Sequence, residues 1–95
     1  MASIKNLKKD IDYLIFEVVS DCFTAMSVKP DKNSDKLLKI ISDAINLRNE
    51  LFSRLNHPDG KNNPVKVKKY FRKLRSDLVV GVDKLFDQIS QAIKD

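Results

Sequence analysis

Ninety-five residues suffice for one domain, near the lower end of lengths that bury a self-sufficient core. Only two glycines and a composition rich in Leu, Ile, Lys and Asp argue for helices and against a sandwich or barrel, which need many turns. The net charge of +5 suits acidic partners, and the single cysteine excludes an intrachain disulfide.

Ser3 is placed to cap a first helix over about residues 3–27. Ile4, Leu7, Ile11, Leu14, Val18, Cys22 and Ala25 or Met26 recur there at helical spacing. Ile15, Val19 and Phe23 widen the stripe, and Phe16 lies further round. At about 100° per residue the apolar arc exceeds half the circumference. Such a helix must touch two neighbours, or one neighbour and another chain. Cys22 falls among the apolar positions and reads as a small buried hydrophobe. The apolar run Tyr13 to Phe16 is short and flanked by Asp12 and Glu17, so it is neither a signal-peptide core nor a membrane span. A cytoplasmic, reduced protein is the expectation.

Residues 28–33 form the first break, with Pro30, Asp31 and Asn33 supplying turn chemistry. Ser34 is the expected cap of a second helix over 34–56, with Asp35 well placed for the dipole. Leu37, Leu38, Ile41, Ala44, Ile45, Leu51, Phe52 and Leu55 form its expected core face. The second break runs from Asn56 to Pro64, and Asn63-Pro64 is a good cap and first-turn pair for a third helix. That helix, 64–94, carries Val67, Phe71, Leu74, Leu78, Val82, Leu85, Ile89 and Ala92 along one face. Gly81 inside it costs up to about 1 kcal/mol relative to Ala, so close packing or a slight bend is expected there.

Both breaks are short, so the expected fold is all-α. It is a single three-helix up-down-up antiparallel bundle, one domain over residues 1–95, with a long C-terminal helix. If Val65 is level with Ile4, residues 89–94 overhang by about 9 Å at 1.5 Å per residue. Ile89, Ala92 and Ile93 then cover Val28 and the first loop or meet another protomer.

The same topology gathers basic residues at one pole: Lys5, Lys8, Lys9, Arg54, Lys61, Lys66, Lys68, Lys69, Arg72, Lys73 and Arg75. Residues 48–75 hold nine Lys and Arg against only Glu50 and Asp59, while 13–47 and 76–95 are net negative. Two helix N-termini add partial positive charge. The arrangement suits a polyanion, either a nucleic-acid backbone bound with strong salt dependence or an acidic protein or headgroup surface. Tyr70 is a base-stacking candidate beside the cluster. Arg48 interrupts the apolar stripe of helix two, and antiparallel packing brings it level with Asp12. An ion pair between them, fixing helix register, is expected, or a seam open to a second chain; the alternative is that Arg48 snorkels to the surface and Asp12 is solvated.

His57-Pro58-Asp59 resembles the tripeptide in the loop of J-domain co-chaperones, where it also joins two antiparallel helices. The resemblance implies contact with a heat-shock chaperone partner. It covers this tripeptide and a Lys61-Asn62 pair. The family carries its main basic surface on the helix before the loop and a short helix after it. Here most basic residues follow the loop, on a helix of about thirty residues.

Catalysis has little to stand on. One His and one Cys lie far apart in the chain. Asp10 and Asp12 do not share a helix face, no spacing suits a metal, and no Gly-rich phosphate loop occurs. No enzyme activity, cofactor, metal or small-molecule substrate is indicated. The expected function is binding through the basic pole. The rival is a structural adaptor or homo-oligomer associating through the apolar faces of helices one and three, and a third reading is chaperone contact through His57-Pro58-Asp59.

Overall fold

The computed structural model describes residues 4–28, 33–58, 60 and 62–94. Among them are three helices, α1 (Ile4–Val28), α2 (Ser34–Asn56) and α3 (Pro64–Lys94), and no strand. Each helix packs against the other two in an up-down-up bundle measuring 52 × 19 × 18 Å.

The core is built from one line of each helix. Leu7, Ile11, Ile15, Val18 and Cys22 come from α1, and Leu37, Ile40, Ala44, Leu51 and Leu55 from α2. Leu74, Leu78, Val82, Leu85, Ile89 and Ala92 come from α3. No polar or charged residue is buried among the described residues. Two faces differ from expectation. Ile15 enters the core of α1 while Leu14 is half-buried and Ile4 exposed. In α2, Ile40 points inward, Ile41 is half-buried, and Leu38 and Ile45 stand about half exposed. The doublets Leu37-Leu38 and Ile40-Ile41 allow two phases. Continuity with Leu51 and Leu55 selects the line through Leu37 and Ile40.

The helix ends are set by local chemistry. Asn63 Oδ1 accepts hydrogen bonds from the amides of Val65 at 3.0 Å and Lys66 at 3.3 Å. It caps α3 while Pro64, with no N–H, fills the first helical position. Gly60 supplies the turn before it, with φ at +70° and its carbonyl accepting from Asn63 N at 2.8 Å. A Cβ there would fall 2.5 Å from Lys66 Cβ, so a side chain has neither the backbone geometry nor the space. The start of α2 departs from expectation. Asn33, not Ser34, holds the cap position, in the left-handed region at φ 58° and without a side-chain cap bond. Its Nδ2 instead donates to the Ala92 carbonyl at 2.7 Å, tying the first connection to the end of α3. Ser3, expected to cap α1, lies outside the described residues.

The axial register of α3 also differs from expectation. Asp10 faces Arg75 near the start of α1, and Val28 shares a groove with Ile93 at its end. This constant offset places Ile4 level with about Lys69, one turn further along α3 than expected. The first turn of α3 therefore projects past Ile4, by roughly 7 Å at 1.5 Å per residue. The last turn does not overhang, because the end of α1 and Asn33 meet it. Helix α3 runs unbroken through Gly81, where an added Cβ would lie 2.8 Å from Leu47 Cδ2. The glycine lets α2 and α3 approach at that level.

Candidate polyanion-binding pole

The projecting turn of α3 makes the basic pole more exposed than an even-ended bundle would. Lys66, Lys69 and Lys73 recur at spacings of three and four along the flank of α3 nearer α2. Lys68, Arg72 and Arg75 do the same along the flank nearer α1. All six are exposed. Lys5 and Lys9 stand exposed, and Lys8 half-buried, on the first turns of α1.

Carboxylates neutralise part of this set. Asp77 accepts from Arg54 Nη1 at 2.9 Å and from Lys73 Nζ at 3.0 Å. The hydrogen bond from Lys73, then that from Arg54, holds its carboxyl below the ordinary carboxylate range. Asp77 was absent from the sequence-predicted site. Its signal there is the four-residue spacing from Lys73. Arg75 Nη2 lies 3.9 Å from Asp10 Oδ2. Among the described residues Lys5, Lys8, Lys9, Lys66, Lys68, Lys69 and Arg72 have no carboxylate within ion-pairing distance. Lys61 and Asp59 lie outside the described residues. The seven unpaired cations repel one another, by about 0.2–0.5 kcal/mol for each pair one helical turn apart.

Tyr70, the base-stacking candidate, also has a structural task. Its hydroxyl donates to the Arg54 carbonyl at 2.9 Å, with the His57 carbonyl at 3.4 Å as a second acceptor. These are carbonyls at the end of α2 that no further turn of helix satisfies. The ring is half-buried, edge-on to Phe71 at 5.9 Å, with the Arg54 guanidinium 6.0 Å from its centre. Tyr70 thus joins α2 to α3 at the base of the pole.

Arg48 Nε donates to Asp12 Oδ1 at 2.7 Å, and its guanidinium lies 4.1 Å from the centre of the Phe52 ring. The contact bridges α1 and α2 at matching depths from the pole. Both side chains remain partly exposed, so the pair adds register more than stability.

Elsewhere the chemistry is sparse. Burial, and to a lesser extent the neighbouring Asp21 carboxylate, pushes the Cys22 thiol up to about 11. His57 is exposed at the end of α2. Among the described residues no group of three or more His, Cys, Asp or Glu is placed to hold a metal. No helix described is long and apolar enough to cross a membrane. No protein family, curated protein or solved structure matches the chain.

Proposed function

We propose that this protein acts by binding, without catalysis, and that its basic pole docks a polyanion, with a nucleic-acid backbone the favoured class. The observation that carries the reading is the set of seven cations at one end that, among the described residues, have no carboxylate partner. Their mutual repulsion is relieved when an external anion neutralises them. The amides of Val65 and Lys66 are already used by Asn63, so at the start of α3 contact falls to the side chains rather than to a helix-end anion pocket. Binding of that kind follows charge and backbone spacing, with little sequence preference.

Fluorescence anisotropy with mixed-sequence RNA and duplex DNA across a salt series tests this. Affinity is expected to fall steeply with salt. Changing the unpaired Lys66, Lys68, Lys69 and Arg72 to Gln is expected to flatten the log–log slope by roughly three, at about 0.7–0.9 for each phosphate no longer neutralised. No binding at low salt, or a slope unchanged in the quadruple variant, overturns the reading. Binding to an acidic peptide but not to nucleic acid would transfer the pole to a protein partner.

A further inference from the structure

The aromatic residues of the bundle divide sharply by helix. Phe52, Tyr70, Phe71 and Phe86 on α2 and α3 all pack against the core. Tyr13, Phe16 and Phe23 on α1 all stand in solvent, at 64%, 66% and 54% exposure. They share the outer face of α1, with Ser20 between the two phenylalanines. The hydroxyls of Thr24 and Ser27 on this stretch already donate to the Ser20 and Phe23 carbonyls, each at 3.0 Å. Covering the face therefore leaves neither of these two donors unsatisfied.

We propose that two copies of this chain pair through this face, α1 against α1, antiparallel about Ser20. Charge selects both the occupant and the direction. Each molecule is strongly positive at one pole, whereas toward the other end Glu17, Asp21, Asp35, Asp43, Asp83 and Asp87 modestly outnumber Lys36, Lys39, Lys84 and Lys94 among the described residues. Antiparallel pairing sets the basic pole of one copy beside the acidic end of the other, while parallel pairing sets two basic poles together. A two-fold at Ser20 sets Phe16 of each copy level with Thr24 of its partner, one residue from the partner's Phe23. The small serine lets the helices approach and the rings interleave. A fully covered aromatic side chain buries about 150–250 Å², so three rings at this exposure offer roughly 300–450 Å² per copy. Two copies together thus offer roughly 600–900 Å² from the rings, and with flanking helix surface at most the lower range of specific interfaces, near about 1,200 Å², so the dimer is weak and concentration-dependent. Pairing of this face is independent of the polyanion reading.

Sedimentation equilibrium across protein concentration, at low and high salt, tests the pairing. A concentration-dependent dimer is expected, weakened several-fold by salt because opposite ends attract. The double variant Phe16→Ser, Phe23→Ser is expected to stay monomeric and, at concentrations where the parent is also monomeric, to keep its unfolding midpoint, since both rings are exposed in the monomer. Orientation is read by disulfide trapping: a Tyr13→Cys chain mixed with a Ser27→Cys chain should give the mixed link. Ser20→Cys should link to itself, and Ser53→Cys, exposed on α2, should not. Cys22 is buried and stays out of this chemistry. A wild-type monomer at every concentration overturns the proposal. So do self-links of Tyr13→Cys in place of the mixed link, or association strengthened by salt. A monomer whose RNA affinity falls in the double phenylalanine variant assigns the rings to nucleic acid and overturns it equally.

Discussion

Replacing Gly81 with alanine sets two effects of similar size against each other. Alanine in a helix interior gains about 1 kcal/mol over glycine. Its Cβ, however, would lie 2.8 Å from Leu47 Cδ2, 3.3 Å from Cδ1 and 3.7 Å from Cγ. Carbon contacts are comfortable at about 3.5–4.0 Å, so the end of Leu47 must move by up to roughly 1 Å. Leu47 is half-buried and has solvent on one side, so it can turn away at a rotamer cost of about 0.5–1.5 kcal/mol. Gly81→Ala alone should therefore stay within about 0.5 kcal/mol of the parent. Leu47→Ala alone should destabilise by about 1–2 kcal/mol, below the range for a fully buried leucine. Added to Leu47→Ala, the glycine substitution should stabilise by about 1 kcal/mol, giving a coupling of about 1 kcal/mol between the two sites. Urea unfolding followed by far-UV circular dichroism measures all four corners of the cycle. Equal stabilisation by Gly81→Ala in both backgrounds would refute the close approach of α2 and α3 at this level.

Asp77→Asn should remove part of the acid sensitivity of the fold. A carboxyl held below its ordinary range contributes stability that is present above the unfolded-chain pKa and is lost as pH falls through the folded value. The stability gap between parent and variant should thus be constant near neutrality and close as both enter the acid range. A gap independent of pH would contradict the hydrogen bonds from Lys73 and Arg54. Gln88 Oε1 is buried without a hydrogen-bond partner, so Gln88→Met should raise stability by about 1 kcal/mol in the same unfolding assay; a loss would mean the amide is satisfied. Asn63→Ala should cost about 1 kcal/mol by uncapping α3, whereas Asn63→Asp should restore most of it.

The helix boundaries were legible because the punctuation is strong. Asn63-Pro64 begins α3 where a cap followed by a donor-free residue should, and all three helices lie within one residue of the ranges read from periodicity. The contact of Asp12 with Arg48 was legible for a related reason: short connections fix antiparallel depth, so equal distances from the shared end meet. What periodicity does not carry is rotation and axial offset. The paired apolar residues of α2 left its phase open by one position, and Ile40 rather than Leu38 or Ile45 fills the core. The offset of α3 depends on how each connection is tied down, and the Asn33 bond to Ala92 is invisible in a hydrophobic pattern. That offset moves the projection from the last turn of α3 to its first, from an apolar segment to the lysine-bearing one. The basic cluster itself was legible as charge, but its partial neutralisation by Asp77 was not, since Arg54 reaches it only in three dimensions.

Backbone amide shifts during titration with a mixed-sequence single-stranded RNA at low salt test the basic pole most directly. The perturbed residues should be confined to the start of α1, the last turn of α2 and residues 62–75, which are far apart in the chain and adjacent at one end of the bundle. Shifts concentrated instead at the end of α1 and the last turns of α3, or spread evenly along the molecule, would contradict it.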